Sequence, residues 1–382
     1  MRTSRRTILA SLSVCSGLGL LAWAGAPGTP AAGGRLVYLG TYTGPHSEGI
    51  YAVRFNEATG AVSEPFLAAA TPNPSFVIVH PNRKFVYAVD ESREGSVHSF
   101  AVEAGTGKLK ALNVVSTRGN GPCYISLDHT GRYLMAANYG SGSVIVYPVK
   151  ADGSLGEATA FDQHKGKGAD PSRQEGPHAH WIEAAPGNKF VLSADLGLDK
   201  VLVYRFDDSK GTLTPNTPPA WDGPPAAGPR HFAFTPNGRF GYLASEMAHT
   251  VTALAWNGKT GTLTSLQTMQ LVPDDFKQEN TAAEIAVSRS GRFVYASDRG
   301  HESISVFAIS PVTGHMTLVE RANTGGKEPR NFALDPTGRY LFAANQNSDS
   351  IVIFRVDPGS GKLTPTGAKI SVASPVCVAF MP

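Results

Sequence analysis

HPNRKF (80–85), DHTGRY (128–133), APGNKF (185–190), TPNGRF (235–240), SRSGRF (288–293) and DPTGRY (335–340) are six copies of one turn, each ending on an aromatic residue. The aromatics follow one another at 48, 57, 50, 53 and 47 residues. A period near 50 marks a stacked repeat rather than a chain of independent elements. A short apolar segment precedes each turn, as in HFAF (231–234) and NFAL (331–334). A second follows it, as in FVYAS (293–297) and YLFAAN (340–345). A third is rich in β-branched residues: SVIVYPV (143–149), KVLVYRF (200–206), SISVFAI (303–309) and SIVIFRV (350–356). Such runs read as strands. A glycine turn then leads to a weaker fourth strand.

That glycine turn occurs seven times, at Gly60, Gly107, Gly153, Gly211, Gly261, Gly314 and Gly361. The aromatic turn occurs six times because the chain is permuted against the repeat. SPVCVAF (374–380) reads as a lone first strand, and LVYLGTY (36–42) and GIYAVRF (49–55) as a second and third. Joined, they complete a seventh unit and remove the open sheet edges. The predicted fold is therefore all-β: a seven-bladed β-propeller of four-stranded antiparallel blades, closed by pairing the N- and C-terminal strands. The repeat is too long for the rungs of an open β-solenoid, and no convincing amphipathic helix interrupts it.

Composition agrees. The 382 residues contain 41 Gly and 27 Pro, as many short strands and turns require. The net charge of +3 comes from Arg2, Arg5 and Arg6, since residues 1–34 hold no acid. The remainder is balanced, with no long basic run, which argues against a nucleic-acid partner. Cys15 lies near the N-terminus, leaving Cys123 and Cys377. Two cysteines form no disulfide framework and show no zinc spacing, so both are expected to be small buried residues.

TSRRTILA (3–10) sets paired arginines before an apolar stretch, Ile8 to Ala24, that Ser and Gly interrupt. It is too weakly apolar for a membrane span, and Ala22-Trp23-Ala24 and Ala31-Ala32 offer small residues for cleavage. Residues 1–34 are expected to be a leader and linker resembling the twin-arginine export signal, and residues 35–382 the propeller. A periplasmic or secreted monomer follows, with no stable membrane insertion after cleavage. A cytoplasmic location follows if the segment is not a leader.

In each blade the first strand should line the channel, antiparallel to the second. The start of the first and the end of the second then meet at one channel mouth, about 15–16 residues apart in the chain. The pairs at this spacing are rich in ionisable groups. Arg230 stands 16 before Glu246, and Glu284 stands 15 before Arg299. Arg330 stands 15 and 16 before Asn345 and Gln346, and His178 and His180 stand 17 and 15 before Asp195. Earlier blades give Ser75 with Asp90 and Glu91, and Cys123 with Asn138 and Tyr139. Any one pair also suits a structural ion pair, and Asp195 and Asp199 suit the tight turn DLGLD (195–199). Their convergence on one face, with a different group in each blade, points to a functional mouth.

The segments RQEGPHAHW (173–181), SADLGLDKVLVYRF (193–206), GPRHFAFTPNGRFGYLASE (228–246), AAEIAVSRSGRFVYASDRG (282–300) and EPRNFALDPTGRYLFAANQ (328–346) resemble the bacterial seven-bladed lactonase propellers. That family includes propeller-type 6-phosphogluconolactonases and fungal carboxymuconate-lactonizing enzymes. The resemblance extends over residues 36–382 and implies lactone hydrolysis at the channel mouth with no required cofactor. It implies catalytic roles for His178 or His180, Arg230, Glu246 and Arg299, with Arg330 and Gln346 completing the pocket.

On this reading Glu246 or a histidine is the base and Arg230 faces the developing oxyanion. Arg299 and Arg330 hold an anionic substituent of the substrate, and Glu284 orients Arg299. Asp195 and Asn345 are further substrate-binding candidates. The expected partner is a small anionic lactone. Two other readings stay open: a non-catalytic periplasmic binding propeller, and a calcium-dependent lactonase with Glu246, Asp195 and Asn345 as oxygen ligands.

Overall fold

The structure, a computed structural model, describes residues 34–382. The predicted leader, with Cys15, lies outside the described residues save for Gly34. Twenty-eight strands form seven four-stranded antiparallel sheets. The one helical element among the described residues is a 3-10 turn at Gln346–Ser348. A representative blade runs outward through Pro229–Phe234, Phe240–Ser245, Thr250–Asn257 and Thr262–Gln270. The last blade is made from both chain ends: Pro375–Phe380 is its inner strand, and Arg35–Thr41, Gly49–Phe55 and Phe66–Ala70 follow. Val37 lies opposite Phe380 and Leu39 opposite Val378.

Burial explains why the second strands read as continuous apolar runs. Every residue of Phe85–Asp90, Phe190–Asp195 and Tyr340–Asn345 is buried, because neighbouring blades cover both faces. The outermost strands, such as Thr262–Gln270, hold no fully buried residue and mix half-buried with exposed positions.

The aromatic turn is closed by its own side chains. Asp128 accepts hydrogen bonds from the Thr130 backbone N–H and hydroxyl on one oxygen, at 3.1 and 2.6 Å, and from the Tyr133 N–H on the other at 2.9 Å. Gly131 sits at φ 71°, where a side chain would strain the backbone.

The two repeated turns form one joint between blades. The ring of each turn aromatic lies on the glycine turn of the next blade. A Cβ added to Gly153 or to Gly211 would lie 2.2 Å from the ring of Phe85 or Tyr133 respectively. The same atom on Gly261, Gly314, Gly361 and Gly60 would meet Phe190, Phe240, Phe293 and Tyr340 at 2.4, 2.5, 2.6 and 3.0 Å. At the closing blade Leu36 plays the aromatic's part and contacts Gly107. Seven glycine turns and six aromatic turns are thus the two halves of a ring of contacts, with one aliphatic substitute at the seam. Tyrosines of the second strands reinforce it: Tyr87 and Tyr242 donate to the Gly153 and Gly314 carbonyls at 3.0 and 2.8 Å.

Candidate active site

The mouth residues are aimed into the channel by a repeated irregularity. Pro229 faces Ser245 and His231 faces Ala244, so Arg230 has no cross-strand partner and is the extra residue of a β-bulge. The same shift frees Cys123, His180 and Arg330. A bulge turns a side chain away from the pleat and ends the regular pairing, which here points it along the channel. In five blades a proline opens this segment: Pro74, Pro122, Pro229, Pro329 and Pro375 precede Ser75, Cys123, Arg230, Arg330 and Val376. The residue before each proline is Asn73, Gly121, Gly228, Glu328 or Ser374, all at positive φ.

Counting back from the turn aromatics exposes two layers. Ten residues before them stand Ser75, Cys123, His180, Arg230, Ala283 and Arg330, the mouth layer. Nine before them stand Phe76, Tyr124, Trp181, His231, Glu284 and Asn331, one layer deeper. The mouth position of the fifth blade is therefore Ala283, not Glu284. This corrects the expectation that Glu284 orients Arg299. Glu284 instead accepts from His231 Nδ1 at 2.9 Å, from the Ile285 N–H at 2.9 Å and from Asn331 Nδ2 at 2.5 Å. Arg299 lies opposite Thr281 and turns to Glu246.

Glu246 is the centre of the mouth. Its Oε2 meets Arg230 Nε at 2.9 Å and Arg299 Nη2 at 3.1 Å, and its Oε1 meets Arg173 Nη2 at 2.7 Å. Burial alone would raise this carboxyl, but the guanidiniums of Arg299, Arg230 and Arg173 outweigh it and hold it down at about 2. Arg230 is 2% exposed and also donates from Nη1 to the Ala283 carbonyl at 2.7 Å. Burial first, then the Arg299 and Arg330 charges, lower it to about 10, still cationic at neutral pH. Arg330 lies over the Tyr42 ring, 5.6 Å from its centroid, and 4.0 Å from Glu91, which accepts from the Tyr42 hydroxyl at 2.9 Å.

His180 is 4% exposed, against Cys123 on the channel wall. Burial, then the positive field of Arg230, holds its imidazole well below the ordinary histidine range, so it is neutral at pH 7. His178 is set differently. It stacks on Tyr139 with centroids 4.7 Å apart, shares a hydrogen bond with the Tyr139 carbonyl at 2.9 Å and pairs with Glu175.

A cavity of about 340 Å³ opens at this mouth, lined by Glu91, Arg173, His180, Glu246, Arg299 and Arg330 among others. With Arg230 at its base it presents four guanidiniums and two carboxylates, a surplus of positive charge suited to an anion. The other end of the channel is a wider funnel of about 560 Å³, but no Lys or Arg lines it. Its half-buried Glu183, raised to about 7 by desolvation, accepts a hydrogen bond from the Tyr124 hydroxyl.

Of the sequence candidates, His178 stacks behind Tyr139 without lining the cavity, and Asp195, Asn345 and Gln346 lie away from it. Asp195 is fully buried and accepts from His164 Nδ1 and from the His178 and Leu198 N–H groups, closing the turn at 195–199. Asn345 is fully buried and donates to the Thr324 carbonyl, as Asn138 does to Thr117 in another blade. Gln346 opens the 3-10 turn, its N–H bonded to the Glu328 carbonyl. The calcium ligand set of Glu246, Asp195 and Asn345 is not assembled: each carboxylate is occupied by its own donors, and no cluster of acidic, His or Cys groups suited to a metal occurs among the described residues. Arg173 was missed by the spacing rule because it lies on the loop before Ala179–Ala184. Asp170 fixes this loop by accepting from the Ser172 and Arg173 N–H groups.

A sequence model described as "Lactonase, 7-bladed beta-propeller" matches residues 36–380. The chain belongs to this lactonase propeller family. Among its relatives is the 6-phosphogluconolactonase of Bacillus subtilis, 38% identical over 345 residues, covering 90% of this chain and 97% of the relative. A second, the 6-phosphogluconolactonase of Formosa agariphila, is 32% identical and covers 78% of this chain and 86% of its own. Of solved structures, the periplasmic gluconolactonase of Pseudomonas aeruginosa matches with a TM-score of 0.86 and 36% identity, covering 91% of this chain and 98% of that one. Within this lactonase propeller the ionisable residues converge on the narrower, cationic mouth.

Proposed function

We propose that this lactonase propeller hydrolyses an anionic sugar lactone at the cationic mouth, in the manner of a 6-phosphogluconolactonase. The observation that carries the reading is a neutral, buried His180 in a mouth where three guanidiniums surround Glu246 and a fourth, Arg330, stands by Glu91. Lactone opening needs a base for water, donors for the tetrahedral oxyanion and a proton for the leaving alkoxide. Glu246 is a poor base, because its lone pairs are committed to three guanidiniums and its proton affinity is low. His180 keeps a lone pair at neutral pH and takes that role. Water attacks the carbonyl carbon as His180 accepts its proton. Arg230, fixed by Glu246 and the Ala283 carbonyl, donates to the oxyanion from the rest of its fork. The proton returns to the ring oxygen as the C–O bond breaks. Arg299, Arg330 and Arg173 hold a phosphate or carboxylate on the substrate, and Glu246 keeps their charges apart.

The leader bears on the substrate. Residues 1–34 fit export behind paired arginines, and no helix among the described residues is long and apolar enough to cross a membrane. An exported enzyme meets sugar-acid lactones, which carry a carboxylate, more readily than a cytosolic phosphate ester. The purified protein should therefore be assayed on gluconolactone, 6-phosphogluconolactone and carboxylated lactones, with and without chelator, following acid release. Turnover on at least one, unaffected by chelator, is expected. Affinity without turnover would make it a binding propeller, and loss on chelation would restore a metal.

A further inference from the structure

Directly beneath His180, in the deeper layer, His231 and Glu284 form a pair that the mouth chemistry above does not use. Glu284 is buried, and burial alone would raise its carboxyl. His231, Arg230 and the Ile285 N–H reverse this and keep it lowered, so it is an anion and only accepts. Its Oε1 stands 2.9 Å from His231 Nδ1, which must carry the proton. The lone pair of neutral His231 is thereby placed on Nε2. Asn331 locks the carboxylate from the other side, while its own Oδ1 accepts the Val378 N–H at 2.9 Å.

His231 is 3% exposed, and its Nε2 has no hydrogen-bond partner among the described residues. The Ser75 hydroxyl, also buried, has none either. Both residues line the constriction between the mouth cavity and the channel, as does His180. The free volume there is about 10 Å³, about what one water needs. The His180 and His231 rings are edge to face, with centroids 5.0 Å apart. Two unpaired buried polar atoms beside the base are costly unless something bonds to them.

We propose that the His231–Glu284 pair is a proton relay: it takes over, through one water held by His231 Nε2 and Ser75 Oγ, the proton that His180 removes from the attacking water. The inference rests on hydrolysis at His180. In the forward step the O–H bond of the attacking water breaks, its oxygen bonds the carbonyl carbon, and the proton passes from His180 to the bridging water as that water gives one to His231 Nε2. The resulting imidazolium faces the Glu284 anion. When the ring C–O bond breaks, the same path runs backward and delivers the proton to the alkoxide. Arg230 and Arg330 oppose a cation on either ring, but only His231 has a carboxylate against it, so resting the proton on His231 is the easier arrangement. The charged and titratable groups facing His231 are Glu284, Arg230, Arg330, His180 and Tyr124, with Glu91 and Cys123 across the constriction.

His231→Asn keeps a donor for Glu284 and deletes Nε2, and is expected to lower kcat by about 10²-fold while KM stays near its wild-type value. Glu284→Gln removes the anion that favours the imidazolium. Its remaining activity should therefore lose its acidic limb at a lower pH than wild type does. A merely structural role would lower activity without moving that limb. Nitrogen-15 NMR of the intact ligand-free protein, labelled at histidine, should show His231 as the Nδ1–H tautomer at neutral pH. An unmoved acidic limb in a folded Glu284→Gln protein, or an Nε2–H tautomer, would overturn the relay while leaving the lactonase reading standing. A wild-type protein inactive on every lactone, with the Nδ1–H tautomer present, would overturn both the function and the relay but not the pair.

Discussion

The two ends of the channel are built on opposite rules. At the turn end six blades repeat the same device, an aromatic ring seated on the next blade's glycine, and Leu36 takes the ring's place in the seventh. At the mouth end the same backbone position carries Ser75, Cys123, His180, Arg230, Ala283 and Arg330, no two neighbours alike. The turn end has to solve one geometric problem seven times, so any good solution is copied. The mouth has to place different charges around one ligand, so copying would defeat it. The backbone still repeats there, through the bulge that aims each side chain, and only the chemistry diverges.

The separation can be broken from either side. Arg230→Ala should reduce turnover by about 10²–10³-fold while the far-UV spectrum stays that of the folded ring, with a lowered thermal midpoint because a buried ion pair is broken. A collapse of the fold would mean that the mouth carries the ring as well. Gly153→Val attacks the other end: its φ of 85° disfavours a branched side chain and its Cβ would strike the Phe85 ring. A loss of about 2–5 kcal/mol in denaturant unfolding is expected, with KM of the folded fraction unchanged. The smallest effect is in acid. The folded-state pKa of Glu246 is depressed from 4.5 to about 2, so its share of stability is complete above about 4.5 and fades as pH falls toward 2. Unfolding free energies at pH 5 and pH 3 should differ more in wild type than in Glu246→Gln.

The turn end was almost wholly legible in the sequence, because a glycine, an aromatic and a short polar turn recur at a fixed period. The mouth was legible in part. The 16-residue spacing correctly paired Arg230 with Glu246, since both lie at the ends of paired strands. It failed for Glu284 because spacing to the second strand ignores the bulge, and one extra residue moves a side chain to the next layer. Counting ten back from each turn aromatic, or reading the proline before Ser75, Cys123, Arg230 and Arg330, places the layer correctly. Asp195 and Asn345 share the spacing yet close loops, a distinction that depends on which neighbours supply donors. Arg173 joins the site through a loop whose path no period encodes, whereas Glu91 stands 16 after Ser75 just as Glu246 stands 16 after Arg230.

The pairing of Pro375–Phe380 with Arg35–Thr41 also orders events in time. The inner strand of the closing blade is the last of the described strands in chain order, so Arg35–Thr41 has no partner on that side until the six other blades have been made. Deleting the final strand should leave an open sheet edge able to recruit another chain, and the product should be aggregates rather than a six-and-a-half-bladed enzyme.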